Sequence, residues 1–212
     1  MTGSLWSLAI ALVVFIGIHL MPGVPGLRKT LRGALGKQAY RAVFSLIAIG
    51  GTVWIVFAHM DAPYTQLWEA PGWTQLIPLA VMPLVLILLA GMSAPGMQKV
   101  TRHPLLWALF LWAAAHIPTN GDAASLMLFG ALALFALIDQ PLADARIRRE
   151  EPERWAEKFA GSSAIPFVAA LRGKGRPSLR EIGYVRIVAA LVLYLVILFA
   201  HEHVIGFSAL PG

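Results

Sequence analysis

All 17 Lys and Arg residues of this chain fall in three segments, and six apolar runs lie between and around them. The runs are Ser4–Met21, Ala42–Met60, Thr74–Met92, Val100–Pro118, Ala123–Ile138 and Arg186–Ile205. Crossing about 30 Å of hydrocarbon takes roughly 17–25 helical residues, so each is a candidate membrane span. The fourth is the least apolar, because Arg102 and His103 sit in its first turn and only Leu105–Ile117 is apolar throughout. Five cations (Arg28, Lys29, Arg32, Lys37, Arg41) follow the first run, two (Lys99, Arg102) follow the third, and ten stand from Arg146 to Arg186. Basic loops are retained on the cytoplasmic side. The pattern therefore places these three segments in the cytoplasm and both termini outside, which needs an even number of crossings.

Composition agrees. With 58% hydrophobic and 13% charged residues in 212, against about 25% charged in a soluble domain, there is too little polar surface to coat a water-soluble fold. Disordered and collagenous classes are excluded for the same reason. The net charge of +6 follows from loop topology, and no nucleic-acid partner is expected. The first run has no basic residue before it and no small-x-small cleavage site after it, so it reads as a span rather than a signal peptide. The expected fold class is all-α: one polytopic membrane helix bundle over residues 1–212, with about six transmembrane helices and a cytoplasmic amphipathic helix between the fifth and sixth. That helix lies within 143–184, where Ile147, Trp155 and Phe159 share the sequence with charged residues at helical spacing. The "RGKGRPSLRE" stretch after it reads as a basic loop at lipid headgroups.

Cysteine is absent, so no disulfide, thiolate metal site or iron–sulfur cluster can form. Six histidines remain: His19, His59, His103, His116, His201 and His203. Ionisable residues within spans are costly and point to function, and His is a common axial ligand of haem. The bland reading of His19 is an interfacial side chain bonded to a neighbouring helix. His103 and His116 are 13 residues apart, about 20 Å along a helix and roughly 140° around it, so they cannot share a metal atom. "TRHP" reads otherwise as a helix start, with Pro104 in its first turn. His116 follows Trp112 by one turn. In "IPTNGD", Asn120 and Gly121 make a turn and Asp122 caps the fifth span. His59 closes the second span. The "HEH" of His201 and His203 reads as interfacial, because i, i+2 side chains diverge on a helix. Asp139 is expected to pair with Arg28 or Arg146. Trp6, Trp68, Trp73 and Trp155 fit membrane-interface anchors. No Ser-His-Asp set, Walker loop, Rossmann glycine pattern or HExxH is present, so hydrolase, NTPase and dehydrogenase classes lack their residues.

The blocks "FIGIHLMPGVPGLR", "LGKQAYRAVFSLIAIGG", "TRHPLLWALFLWAAAHIPTNGD" and "GSSAIPF" resemble, in order, those of the NnrU membrane proteins. The resemblance covers nearly the whole chain. It implies a bacterial inner-membrane protein with periplasmic termini, linked to denitrification and hence to nitrite and nitric oxide reduction, with a respiratory or denitrification membrane protein as partner. The 15-cis-zeta-carotene isomerase looks like a distant relative. It carries haem b, and its axial histidines fall on His19 and His116. The Cys that precedes its second His by three residues corresponds to Ala113. The resemblance thus implies haem b on His19 and His116, Trp112 against the macrocycle, and Arg28 or Arg102 for the propionates. Depth along the spans favours His103 instead as the partner of His19, so both pairings stand at this point. "RHPLLWALFLW" with the later "EEPERWAEKFAGSSAIPF" also resembles membrane methyltransferases, with Arg102, His103 and Glu151 as counterparts. The expectation is a haem-b-binding factor for nitrite or nitric oxide reduction; the alternatives are a haem-dependent cis-trans isomerase of a polyene lipid, a methyltransferase-like enzyme or a non-catalytic scaffold.

Overall fold

The computed structural model describes residues 4–159, 161–174 and 176–210. Among these residues the fold is helical, and one isolated bridge, Gln66 to Asp122, is the only extended pairing. The principal helices are α1 (Leu5–Leu20), α2 (Leu27–Leu35), α3 (Lys37–Met60), α4 (Leu76–Ala90), α5 (Pro95–Val100), α6 (Pro104–Asn120), α7 (Ala123–Glu150) and a last helix, Tyr184–Ile205. Five stretches are long and apolar enough to cross a membrane: Leu5–Gly23, Lys37–Met60, Gly72–Ala90, Ala123–Glu150 and Tyr184–Ile205. The fourth expected span corresponds to α6, which has only 17 residues.

Local chemistry sets the helix ends. Ser4 caps α1 by accepting from the Ser7 amide, and Asp122 caps α7 by accepting from the Ser125 amide at 3.0 Å, as its position in the turn suggests. Pro104 opens α6, where its missing N–H is no loss. Gly121 closes it in the left-handed region at φ 73°, and a Cβ there would lie 2.5 Å from the Trp68 carbonyl oxygen. Only glycine meets both demands.

α6 is the shared wall of two cores. On one side Ala113 packs with Leu8 and Leu12 of α1, Ile55 of α3, and Phe129 and Leu132 of α7. On the other, Ala108 packs with Val85 and Leu88 of α4, Met97 of α5 and Ile182. Buried alanines let helix backbones approach closely, the usual solution inside a membrane bundle. The outer surface is apolar. Leu46, Phe57, Leu134, Val188 and Phe199 are exposed, and Ala190 is the one buried residue among those described in the last helix. Such a surface suits hydrocarbon.

The two ends of the bundle differ. At one, the Leu67 and Trp68 amides donate to the Gly121 carbonyl at 2.8 and 3.1 Å, and the Ala123 amide donates to Thr65. At the other, Arg28 pairs with Glu150, Lys99 with Glu181 at 2.8 Å, and Arg102 with Asp144 at 3.1 Å. All three basic segments therefore meet at one end.

The amphipathic segment differs from a single helix. α7 runs 28 residues without a break, roughly 42 Å, and carries Arg146 and Ile147 out of the bundle as a continuation of the fifth span. Between Glu151 and the last helix come a short helical piece, Pro152–Arg154 continued as a π-helix over Trp155–Phe159, and two single turns, Val168–Leu171 and Leu179–Ile182. Pro152, Pro166 and Pro177 interrupt any longer helix there. Phe159 is buried, whereas Trp155 lies between two arginines.

Candidate functional site

Two histidines inside the bundle share one local arrangement. His19 stands in the last turn of α1, and its Nδ1 donates to the Phe15 carbonyl at 2.7 Å. His116 stands near the end of α6, and its Nδ1 donates to the Trp112 carbonyl at 2.7 Å. A carbonyl oxygen only accepts, so Nδ1 is the donor in each case, and in a neutral ring Nε2 is then the nitrogen with the lone pair. This is the arrangement of a metal-ligating imidazole oriented by a backbone acceptor. Both rings lie among aromatic groups. His19 is 4.0 Å from Phe15, 5.5 Å from Phe44 and 5.9 Å from Phe135, between ring centroids. His116 stacks on Phe129 at 5.1 Å and lies 5.4 Å from Trp112. An aromatic residue four positions before each His supplies both the acceptor carbonyl and a ring wall, because i and i+4 share a helix face.

The rings differ in depth. His19 meets α7 at Phe135 and His116 meets it at Phe129, six residues or about 9 Å along the helix axis. His103 lies farther still toward the basic end. It meets α7 at Asp144, where its Nε2 lies 2.8 Å from Oδ1. That is nine residues beyond Phe135, about 14 Å, and its Nε2 already faces a carboxylate. The structure thus does not bring His103 to His19. Ala113 is fully buried in the core one turn below His116.

The expected anionic partners are held differently. Arg28 pairs with Glu150 rather than Asp139, because α7 continues past its apolar part and carries Glu150 to the turn after α1. Asp139 forms no ion pair among the described residues. Asp144, on the same extension, accepts from Arg102 through one oxygen and faces His103 through the other. Arg102 also donates to the Ser162 carbonyl at 3.3 Å. Arg102 and His103 stand in the turn ahead of α6, outside the helix. Burial lowers the pKa of both from its ordinary value, and the Asp144 carboxylate opposes that shift. Neither Asp144 nor Glu150 stood out in the sequence. The one available signal was a carboxylate spaced along an unbroken helical pattern after Ile138.

The remaining histidines fall elsewhere. His59 Nε2 lies 3.3 Å from Ser125 Oγ, tying α3 to the capped start of α7. His201 Nδ1 donates to the Phe207 carbonyl, and His203 is exposed. No group of three or more His, Asp and Glu side chains able to hold a metal ion occurs among the described residues.

Two of the four sequence blocks also meet. The 161–167 block is fastened to the 100–107 turn: Thr101 Oγ1 and Trp107 Nε1 both donate to the Ala164 carbonyl, at 2.8 and 2.7 Å. The Arg102 amide donates to Ser163, and the Phe167 amide donates to Val100.

The sequence profile of the NnrU protein family matches residues 7–209. The chain belongs to the NnrU family. It is also 24% identical over 183 residues to the chloroplastic 15-cis-zeta-carotene isomerase of Zea mays, an alignment covering 76% of this chain and 50% of that protein. The chain spans about half the length of this curated relative. No solved structure matches it.

Proposed function

We propose that this NnrU protein binds haem b within the membrane, that His19 and His116 would hold it, and that it serves nitrite or nitric oxide reduction. The observation that carries the reading is the shared anchoring: each ring is held through Nδ1 by its own i−4 carbonyl, which leaves Nε2 as the nitrogen available to a metal in a neutral ring. The donor type fits an iron porphyrin, for which imidazole is a common ligand, and the offset of about 9 Å between the two rings is what the two helices would have to close to hold one iron together. A bound haem would supply one-electron redox chemistry. The protein residues set which imidazole nitrogen is presented, exclude water with Phe15, Phe44, Phe129 and Trp112, and leave the basic end to face the cytoplasm. Arg28 and Arg102 hold Glu150 and Asp144, so either would have to share a propionate with a carboxylate.

The test is the visible spectrum of the purified protein, oxidised and reduced, beside His19→Ala and His116→Ala. A Soret band with sharp reduced α and β bands, lost in both variants, is the expected result. A spectrum unchanged in either variant removes that residue as a ligand. Retention of five-coordinate haem in one variant would mean that the 9 Å offset separates the two rings. A featureless spectrum after reconstitution with haem overturns the reading.

A second reading rests on the relative. Its name describes a cis-trans isomerase of a carotenoid, and the same two histidines could serve a haem that isomerises a polyene. Conversion of a supplied polyene by the reduced protein, abolished by either His variant, distinguishes it from a redox factor.

A further inference from the structure

The basic end holds a cavity of about 300 Å³ between the end of α7, the turn before α6 and the short turns that follow Glu151. Its walls include Arg102, Arg148, Arg172 and Lys174, and none of its described lining residues is acidic; Arg102 is also paired with Asp144, so Arg148, Arg172 and Lys174 carry the unbalanced charge. Like charges gathered around one hollow repel one another, so the arrangement favours an anion between them. Two of the four cations are already oriented. The Arg102 and Arg148 guanidinium groups sit 4.8 and 4.1 Å from the Trp155 ring centroid, on a ring that has no carboxylate to offer. Arg102 Nε is buried and has no hydrogen-bond partner among the described residues. A buried charged donor left unmet is costly, and this one is closed off from the cavity unless the Arg102 side chain shifts. Arg172 and Lys174 form no ion pair among the described residues and reach the cavity from the exposed rim.

The cavity is built rather than incidental. Four hydrogen bonds, from Thr101, Arg102, Trp107 and Phe167, fasten the 161–167 block that carries part of its wall to the turn before α6. Phe167 holds φ 63°, a left-handed conformation that costs a non-glycine residue free energy and persists only where its surroundings enforce it.

We propose that this cavity binds a phosphate group. A phosphate offers several oxygens to guanidinium forks and an ammonium at once, the geometry at which arginine excels. The volume lies at the lower end for small-molecule sites, enough for a glycerophosphate headgroup or a free phosphate. The position at the basic end of the bundle gives access to both. The site is independent of the histidine pair, and its test does not require haem.

The experiment uses the full chain in two arms. In detergent, inorganic phosphate is titrated by calorimetry. In nanodiscs of mixed phosphatidylglycerol and phosphatidylcholine, native mass spectrometry counts retained lipid. The variant R172Q/K174Q removes two rim cations, and R176Q/R180Q removes two exposed charges outside the cavity lining. The expected result is saturable binding that R172Q/K174Q weakens by about tenfold, the loss of one charged hydrogen bond, while R176Q/R180Q changes it by less than about twofold. Binding of inorganic phosphate that displaces the lipid assigns a soluble phosphate compound. Retention of phosphatidylglycerol alone assigns a headgroup. Equal losses in the two variants would mean that the diffuse field of the basic loops does the binding, and the proposal fails. It fails equally if neither arm shows saturable binding. All four side chains are exposed, and an unchanged melting temperature verifies that folding is intact.

Discussion

Asp144→Asn is the sharpest test of how the basic end is held. Asp144 is the single acceptor for two neighbours, with Oδ2 3.1 Å from Arg102 Nη1 and Oδ1 2.8 Å from His103 Nε2. The three side chains are only 15%, 12% and 7% exposed, so solvent does little to replace a lost partner. An amide has one acceptor oxygen where the carboxylate has two. The amide oxygen can serve Arg102, and the amide NH₂ matches His103 only after a change of tautomer, but the negative charge that balanced Arg102 is lost in either case. Losing a charge-assisted hydrogen bond costs about 1.5–3 kcal/mol, and an uncompensated buried charge costs about 3–5 kcal/mol. The partial exposure of the pair places the expected loss near the lower range, about 3 kcal/mol. For a chain of this size each kcal/mol moves the melting temperature by about 2–4 °C, which gives a drop of roughly 6–12 °C. Fluorescence-monitored melting in detergent at a fixed scan rate reads it. R102Q should cost a similar amount, and R102Q/D144N should cost much less than their sum, because each single change strands the other partner. A D144N drop below about 2 °C, or strictly additive variants, would refute the assignment of Asp144 as the shared anchor.

Three other outcomes follow from the same coordinates. Gly96→Ala should destabilise the protein by about 1–3 kcal/mol, because its Cβ would lie 2.7 Å from the Glu181 Cβ and the Ile182 amide nitrogen. The readout is a lowered melting temperature together with faster proteolysis at Leu179–Ile182. Asp122→Ala should cost about 1 kcal/mol through the lost cap on α7, and amide hydrogen exchange should speed up at Ser125 while α1 is unaffected. His19→Ala and His116→Ala should each abolish a bis-imidazole haem spectrum and lower the melting temperature of the haem-free protein only modestly, since both Nδ1 bonds are local to their own helices and only the ring contacts with Phe44 and Phe135 or with Phe129 are lost between helices.

The bundle was legible because two independent signals agreed. Apolar runs set where helices lie, and the cation distribution set which ends belong together. Both are properties of single segments in lipid, and so they survive without knowledge of packing. The local roles of Asp122 and Gly121 were equally legible, since capping and a left-handed turn depend only on adjacent residues. What lay hidden depends on contacts between distant segments. Arg102 and Asp144 are 42 residues apart, and no periodicity links them. The pairing of Arg28 with Glu150 was missed for the same reason: α7 was expected to stop at Ile138, where hydropathy falls, but helix formation does not need apolar residues once the chain leaves the membrane. The amphipathic stretch over 143–161 is helical on both sides of Glu151, but Pro152 interrupts it there and splits it between the end of α7 and a short separate piece. The shared role of the His19 and His116 Nδ1 atoms was visible only once the rings were placed.

The fourth span is where length and geometry give different answers, and labelling decides between them. At 17 residues, roughly 26 Å, α6 falls just short of the about 30 Å of hydrocarbon it would cross. Its two ends, however, are fixed to opposite faces of the bundle. Asp144 and the 161–164 turn hold its start at the basic end, and Thr65, Leu67 and Trp68 hold Gly121 and Ala123 at the other. An α6 that failed to cross would have to break one of these sets. The chain has no cysteine, so single cysteines at Tyr64, Asn120 and Lys174, all exposed, report their side without background. With a membrane-impermeant maleimide, Y64C and N120C should react in intact spheroplasts, and K174C should react only after permeabilisation. If N120C behaves like K174C, α6 turns back within the bilayer and the six-span arrangement is wrong. If all three invert together, α6 still crosses, but the basic segments do not face the cytoplasm and the charge argument for orientation fails.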